Sequence, residues 1–354
     1  MEKVRILMLG AAFSADLHMD GYRRFADKAR VTAICDKEPD RIRALAERYG
    51  ITDYRMYTDY RDAIENAGYD MADICLPNFL HCDPALLALE KGKNVICEKP
   101  LATTVEDAVR MVEKAAGKGR HIYYAEDWIC APAIKRALSI TGEGAVGDVV
   151  YIRARECHSG SHSPFAKKIE FCGGGSAVHL GIHPVGLLLS VKNNEWAEIT
   201  AATSGGLNGN LVHKDIEGED LSVAVIKFKD GTFAEIESNY VTCGGMEDMI
   251  DFYGTKGCLH VDLNFSGAVS CFSIPGVSYA VEKAEITAGW TKPAVDEKYN
   301  LGYVSEIEHF LDMCMAGLPA AGGLRGEDGL EALKVVQYMY QSAREGRKIV
   351  NPEL

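Results

Sequence analysis

Four of the chain's ten histidines, His158, His162, His179 and His183, fall within 26 of its 354 positions, where an even spread would leave fewer than one. They form two H-x-x-x-H pairs, and Glu156 stands just ahead of the first. Imidazoles and a carboxylate at such spacing could hold a divalent metal. The same groups could instead contact the hydroxyls of a sugar, or organise a polar cleft in which a neutral imidazole accepts a proton. His179 and His183 are four residues apart in a stretch of helical character, so both are expected on one helix face.

A second group gathers in the first hundred residues. Lys99 follows Glu98 and precedes Pro100, directly after an apolar run at 94–97. A cation at the carboxyl end of a central strand sits where open α/β sheets bind ligands, and an ammonium there can hold a substrate hydroxyl and favour its alkoxide-like state. Glu98 and Lys99, as strand neighbours, point to opposite faces and are not expected to pair side chain to side chain. The first apolar run, 4–9, leads into Gly10-Ala11-Ala12-Phe13-Ser14-Ala15. Here a nucleotide-binding fold places its glycine-rich turn and a helix N-terminus, whose N–H groups and dipole face a pyrophosphate. Ala12 and Ala15 replace the second and third glycines of that fingerprint; Ala15 is an accepted variant, while Ala12 crowds the closest approach of backbone to phosphate. Asp36 closes the second run, near where an acidic residue accepts hydrogen bonds from the adenosine ribose and repels a 2'-phosphate, so NAD is expected over NADP. Lys37 softens that preference, and Asp is also a preferred cap for the helix that follows.

The elements that must position these groups are legible in the patterning. Short apolar runs at 4–9, 31–35, 71–76 and 94–97 suit parallel strands buried on both faces, and the segments between them have helical spacing. Residues 1–125 are therefore expected to form a doubly wound parallel sheet of the Rossmann type. Beyond them, strand-like stretches follow one another at 149–156, 199–203, 221–228, 233–240, 249–253 and 258–261, with turns at 229–231 and 255–257. Residues 126–354 are expected to be α+β, a large open antiparallel sheet carrying helices at about 176–190, 302–316 and 326–345 on one face. A formal charge of -13 argues against nucleic acid as a partner. No apolar run reaches the about 20 residues of a membrane span and no cleavable leader is visible, so the chain reads as cytoplasmic. The eleven cysteines form no C-x-x-C pair and read as reduced thiols, with Cys35, Cys75 and Cys97 buried.

Taken together, the Gly10 turn, Asp36, Leu76-Pro77-Asn78 with His81, Glu98-Lys99-Pro100, Ala125-Glu126-Asp127-Trp128, and Gly173-Gly174-Gly175 leading to His183 make the chain resemble the Gfo/Idh/MocA oxidoreductases, the family of glucose-fructose oxidoreductase, inositol dehydrogenase and rhizopine catabolism. The Glu-Lys-Pro match is the most specific of these. The resemblance implies NAD held by Gly10, Ala12, Phe13, Ser14, Asp36, Lys37, Leu76, Pro77, Asn78, His81, Glu98 and Lys99. It also implies a carbohydrate or polyol substrate set against the carboxy-terminal sheet, with Lys99, Glu126, Trp128, His158, His162, His179 and His183 around it. His183 takes the position of the family's general base, while His179 stands where the family usually has Asp. Hydride transfer from a sugar hydroxyl to NAD is the expected reaction, with Lys99, His183 and His179 as catalytic residues and no metal, since Lys99 already supplies positive charge at the oxyanion. Transient oxidation leading to glycoside elimination, or a non-catalytic dinucleotide sensor, are the alternatives. A homodimer or homotetramer through the open sheet face is expected.

Overall fold

The computed structural model describes residues 3–161, 163–244, 246–264, 269–276, 288–291 and 295–353. Two compact units emerge, one made of Met1–Asp127 with Gly302–Leu333 and the other of Trp128–Leu301 with Lys334–Leu354.

In the first unit, β1 (Val4–Leu9), β2 (Ala29–Cys35), β3 (Arg55–Tyr57), β4 (Met71–Ile74), β5 (Asn94–Glu98) and β6 (Ile122–Ala125) form one parallel sheet in the order β3-β2-β1-β4-β5-β6. Residues such as Ile6, Leu7, Ile74, Val95 and Ile96 have no exposed surface, as strands covered by helices on both faces require. Strand order reverses between β1 and β4, and the loops after those two strands diverge there to open the crevice in which such sheets take ligands.

Helix Tyr303–Ala316, expected from the sequence to lie on the second sheet, belongs to this unit instead and packs on helix Phe13–Arg24. Gly21 permits the approach: a Cβ on it would stand 2.7 Å from the Cβ of Ile307. Apolar spacing identifies a buried helix face but does not say which surface covers it.

In the second unit, β7 (Val149–Cys157), β8 (Trp196–Thr203), β9 (Leu221–Phe228), β10 (Phe233–Asn239), β11 (Glu247–Gly254) and β12 (Cys258–Asp262) form a sheet in the order β12-β11-β7-β10-β9-β8-β15. A separate ribbon pairs β13 (Cys271–Ser273) with β14 (Gly289–Thr291), and β15 (Ile349–Val350) adds to the edge at β8. The expected turns at 229–231 and 255–257 join β9 to β10 and β11 to β12. The sheet is not wholly antiparallel: β7 and β10 run parallel, because the long connection between them contains a helical crossover that returns the chain in the same sense.

Alternation places Ile152, Ala154 and Glu156 of β7, Ala224 and Ile226 of β9, and Ala234 and Ile236 of β10 on one buried face, under the helices Ser176–His179 and Ile182–Val191. These two helices replace the single helix expected at 176–190. Pro184 has no N–H for the Leu180 carbonyl and its ring would press on that carbonyl, so the chain breaks at Leu180-Gly181 and restarts with Pro184 in the first turn. Cys35, Cys75 and Cys97 are buried and free. No single helix among the described residues is long and apolar enough to cross a membrane.

Gly21→Leu would force its side chain into Ile307 and should cost about 1–3 kcal/mol, as overpacking does. A lowered Tm, partly recovered when Ile307→Ala is added, is the expected result; a Tm equal to that of the parent chain would contradict the close approach.

Candidate functional site

At the end of β1, Gly10 has φ +105, and a Cβ there would lie 2.2 Å from the carbonyl oxygen of Cys75. Only glycine adopts that backbone freely and fits that space. The turn is braced from the next strand, since the Ala11 N–H donates to Asp36 Oδ2 at 2.9 Å and Glu38 N–H donates to Asp36 Oδ1 at 2.9 Å. Asp36 is therefore not the cap of helix Pro39–Arg48, whose N-cap is Glu38. Each carboxylate oxygen keeps a further lone pair for a donor. Helix Phe13–Arg24 starts from Ala12 with no side-chain cap, which leaves its first-turn N–H groups for an anion. Phe13 and Lys37 are exposed and Ser14 is half-buried beside them. Glycine cradle, uncapped helix and braced carboxylate fit a dinucleotide.

The loops after β4 and β5 are tied together by His81. Its fully buried ring places Nε2 2.8 Å from the Leu76 carbonyl oxygen and Nδ1 2.8 Å from that of Pro100. Burial pushes its pKa below the ordinary histidine value against the pull of both carbonyls. Both ring nitrogens face backbone, so His81 positions the loops rather than presenting a nitrogen to a ligand. Asn78 is buried at the start of the short turn Asn78–Leu80, with Leu76 and Pro77 half-buried before it. Glu98 ends β5 buried, and its Oε2 accepts from the backbone N–H of Lys99 at 3.0 Å. Lys99 itself is half-buried, and its bond to Pro100 is cis. Glu126 and Asp127 are buried just beyond β6.

In the second unit, the break at Leu180-Gly181 separates the two histidines that the sequence places on one helix face. His179 Nδ1 lies 2.8 Å from the Tyr240 hydroxyl and 3.2 Å from Ser161 Oγ, and the His158 ring leans on the same tyrosine at 5.8 Å between centroids. His183 turns elsewhere: its ring stacks on Trp128 at 5.7 Å and 14°, and Nε2 is 3.8 Å from Glu156 Oε2, both groups buried. Glu156 lies near the end of β7, and His158 follows directly after that strand. His162 lies outside the described residues. Tyr240 and Ser161 were not singled out from sequence; the one available signal is that a buried tyrosine needs a partner for its hydroxyl.

The glycine segment before these helices is explained by Glu219. Its Oε1 accepts from the Ala177 N–H at 2.7 Å and from the Tyr340 hydroxyl at 3.0 Å, and Tyr340 in turn accepts from the Gly175 N–H at 3.0 Å. A Cβ on Gly175 would lie 2.2 Å from the Glu219 carbonyl oxygen, and one on Gly174 would lie 2.4 Å from the Tyr340 hydroxyl. The helix that carries His179 is thus seated on a buried carboxyl.

Residues 4–126 match the model of an oxidoreductase family described by its NAD-binding Rossmann fold, and residues 134–260 match a GFO/IDH/MocA C-terminal domain. The chain is 26% identical to a D-apiose dehydrogenase of Paraburkholderia graminis, over 97% of this chain and 88% of that one. It is 24% identical to the D-glucoside 3-dehydrogenase of Escherichia coli, over 98% and 97%. Among solved structures it is similar to GenD2 from gentamicin A biosynthesis in complex with NAD, with TM-score 0.90, 22% identity and coverage of 99% of this chain and 97% of that one. The myo-inositol 2-dehydrogenase of Lactobacillus plantarum follows with TM-score 0.82, 20% identity and coverage of 99% of both chains.

Burial pushes the Glu219 carboxyl up to about 7, against the hydrogen bonds that it accepts. A carboxyl that holds its proton more tightly folded than unfolded supports folding at low pH and loses that support as pH climbs from the ordinary carboxyl range to about 7. Glu219→Gln should remove this slope, worth about 3 kcal/mol over that window, and so gain stability relative to the parent as pH rises from 5 to 7. Parallel stability profiles for the two proteins in denaturant titrations would contradict the assignment.

Proposed function

The chain belongs to the GFO/IDH/MocA oxidoreductase family, and on that premise we propose that it is an NAD-dependent dehydrogenase that takes a hydride from a hydroxyl-bearing carbon of a carbohydrate or polyol. The observation that carries the proposal is the braced turn in which Asp36 holds Ala11 beside the uncapped helix, joined on one sheet to Lys99 at the end of β5. Formation of NADH, read by its absorbance across a panel of aldoses, glucosides and inositols, tests it; dinucleotide binding with no turnover of any of them would favour a sensor.

Asp36 is assigned to the adenosine ribose hydroxyls, and the first-turn N–H groups from Phe13 and Ser14 to the pyrophosphate. Gly10, Ala12, Lys37, the Leu76-Pro77-Asn78 loop and Glu98 complete the cofactor site, with His81 holding the loops in place. When bound, NAD supplies the nicotinamide carbon that accepts the hydride. Lys99 holds the reacting oxygen and stabilises its developing negative charge. His183 removes the hydroxyl proton. With His179 in the place of the family's usual Asp, the carboxylate that favours the resulting imidazolium is Glu156, 3.8 Å from His183 Nε2. Trp128 fixes the plane of the His183 ring by stacking. His179, oriented by Tyr240 and Ser161, and His158, His162 and Glu126 contact the sugar hydroxyls. The same role keeps His183 off a metal ion.

The outer face of the second sheet carries exposed Val225 and Phe233, and a homodimer or homotetramer through that face is part of the proposal.

Asp36→Ser should shrink the preference for NAD over NADP; an unchanged affinity ratio in equilibrium titrations would remove Asp36 from the ribose. Lys99→Ala should lower single-turnover hydride transfer by about 10²-fold or more while dinucleotide affinity stays within a few-fold. An unchanged single-turnover rate would take Lys99 out of the reaction.

A further inference from the structure

Beneath the carboxyl edge of the parallel sheet lies a buried set of ionisable groups that the reaction above does not use. His18, on helix Phe13–Arg24, has no exposed surface and sits between two carboxylates: Nδ1 is 2.9 Å from Asp73 Oδ2 and Nε2 is 3.1 Å from Glu98 Oε1. Asp73, fully buried in β4, also accepts from the Tyr22 hydroxyl at 2.7 Å. The Cys75 thiol lies 3.4 Å from His18 Nδ1. Glu98 accepts from His18 with one oxygen and from the Lys99 backbone N–H with the other. From helix Tyr303–Ala316, Glu306 enters the same interior fully buried, and neither of its carboxyl oxygens has a hydrogen-bond partner among the described residues.

A neutral imidazole has one N–H and one lone pair, and here the lone pair would face a carboxylate oxygen. Only the imidazolium donates to Asp73 and Glu98 together. Burial alone would lower the His18 pKa, but Asp73 reverses that and raises it well above the ordinary value. Burial likewise would raise Glu98, and the hydrogen bond and charge of His18 hold it below its ordinary value instead. Glu306, without a partner, is pushed well up by burial and stays a neutral acid. The His18 imidazolium, between the two carboxyl groups, thus keeps Glu98 as a carboxylate at the end of β5. His18, Asp73 and Glu306 do not reach the surface, so the set cannot carry protons between solvent and the site; it serves as fixed charge.

We propose that His18 is a positioning residue for the cofactor site: as a buried imidazolium it keeps Glu98 ionised and aimed at the carboxyl end of β5, where that fixed negative charge favours the oxidised, positively charged nicotinamide over the reduced one. This rests on the assignment of the end of β5 to the nicotinamide. In His18→Gln a polar side chain remains, but the two buried carboxyl groups lose their cation and share a proton, so Glu98 gives up part of its charge; adding Asp73→Asn removes the competing carboxylate and leaves Glu98 free to ionise. A residue that served only to pack would not produce recovery on adding the second substitution.

The test has two independent readouts. Dissociation constants for NAD+ and NADH are measured by fluorescence titration on the parent, His18→Gln and the double variant. The expected result is that the NAD+ constant rises relative to the NADH constant by about tenfold in His18→Gln, the size of one pK unit of charge interaction, and falls back in the double variant. Nitrogen-15 spectra of the histidine rings of the parent chain should show both His18 nitrogens still protonated above the pH at which an ordinary histidine has lost its proton. An unchanged affinity ratio in folded His18→Gln, or a neutral His18 ring at neutral pH, would each overturn the proposal. Should His18→Gln not fold, the ring spectra of the parent decide alone. Failure of the parent chain to bind either dinucleotide would overturn the assignment of β5, while the spectra would still report the charge of His18.

Discussion

The carbonyl oxygen of Cys75 occupies the space that a side chain on residue 10 would need, so the end of β1 can approach the end of β4 only through glycine. That approach sets the path of everything after it. Ala11 is brought to the carboxylate of Asp36, the helix from Phe13 starts without a capping side chain, and its N–H groups are left for an anion. The same helix carries Gly21, which admits helix Tyr303–Ala316, and His18, which reaches down to Asp73 and Glu98. One backbone constraint at the sheet's switch point thus places both the surface that would hold a dinucleotide and the charge beneath it.

A chain with thirteen more acidic than basic side chains must decide what surrounds the acids that it buries. Neighbouring residues show two opposite solutions. Asp220 accepts from the N–H groups of Leu211, Val212 and His213 at 3.0, 2.7 and 3.1 Å, and with the Ser204 hydroxyl they hold its carboxyl down at about 2 although burial opposes them. Glu219, next to it, is also buried, and there burial outweighs the hydrogen bonds that it accepts, so it sits near 7. Asp220 fixes a loop as an anion, while Glu219 seats the helix of His179 and is tuned close to neutrality. Burial costs a charge several kcal/mol unless donors repay it, and the count of donors decides the outcome.

The parallel sheet was legible because its strands are continuous apolar runs separated by helical segments, and period alone specifies that arrangement. The antiparallel hairpins were legible from their turns at 229–231 and 255–257. The parallel pairing of β7 with β10 was not, since it depends on where a long connection returns the chain. Pro184 is the sequence signal for the broken helix at 180–181, whereas helical spacing alone puts His179 and His183 on one face. In the candidate site, Asp36, Glu98 and Lys99 stand at strand ends, where sequence position implies location. Tyr240 meets His179 across 61 residues, and His18 meets Asp73 across 55, with no local pattern to announce either contact. Histidine clustering points to one segment of the second unit, while Glu156, which spacing alone treats as one more ligand-like residue, lies 3.8 Å from His183 Nε2.

In the proposed reaction a hydride leaves a carbon of the sugar for the nicotinamide. Incubating the protein with NAD+ and sugars, glucosides or inositols deuterated at every carbon, and reading the nicotinamide product by proton NMR, tests that transfer directly. One deuterium is expected at the C4 position of each NADH formed, in step with oxidation of the sugar. Released aglycone with no net NADH and deuterium lost to water, or no labelled NADH with any of the substrates, would contradict it.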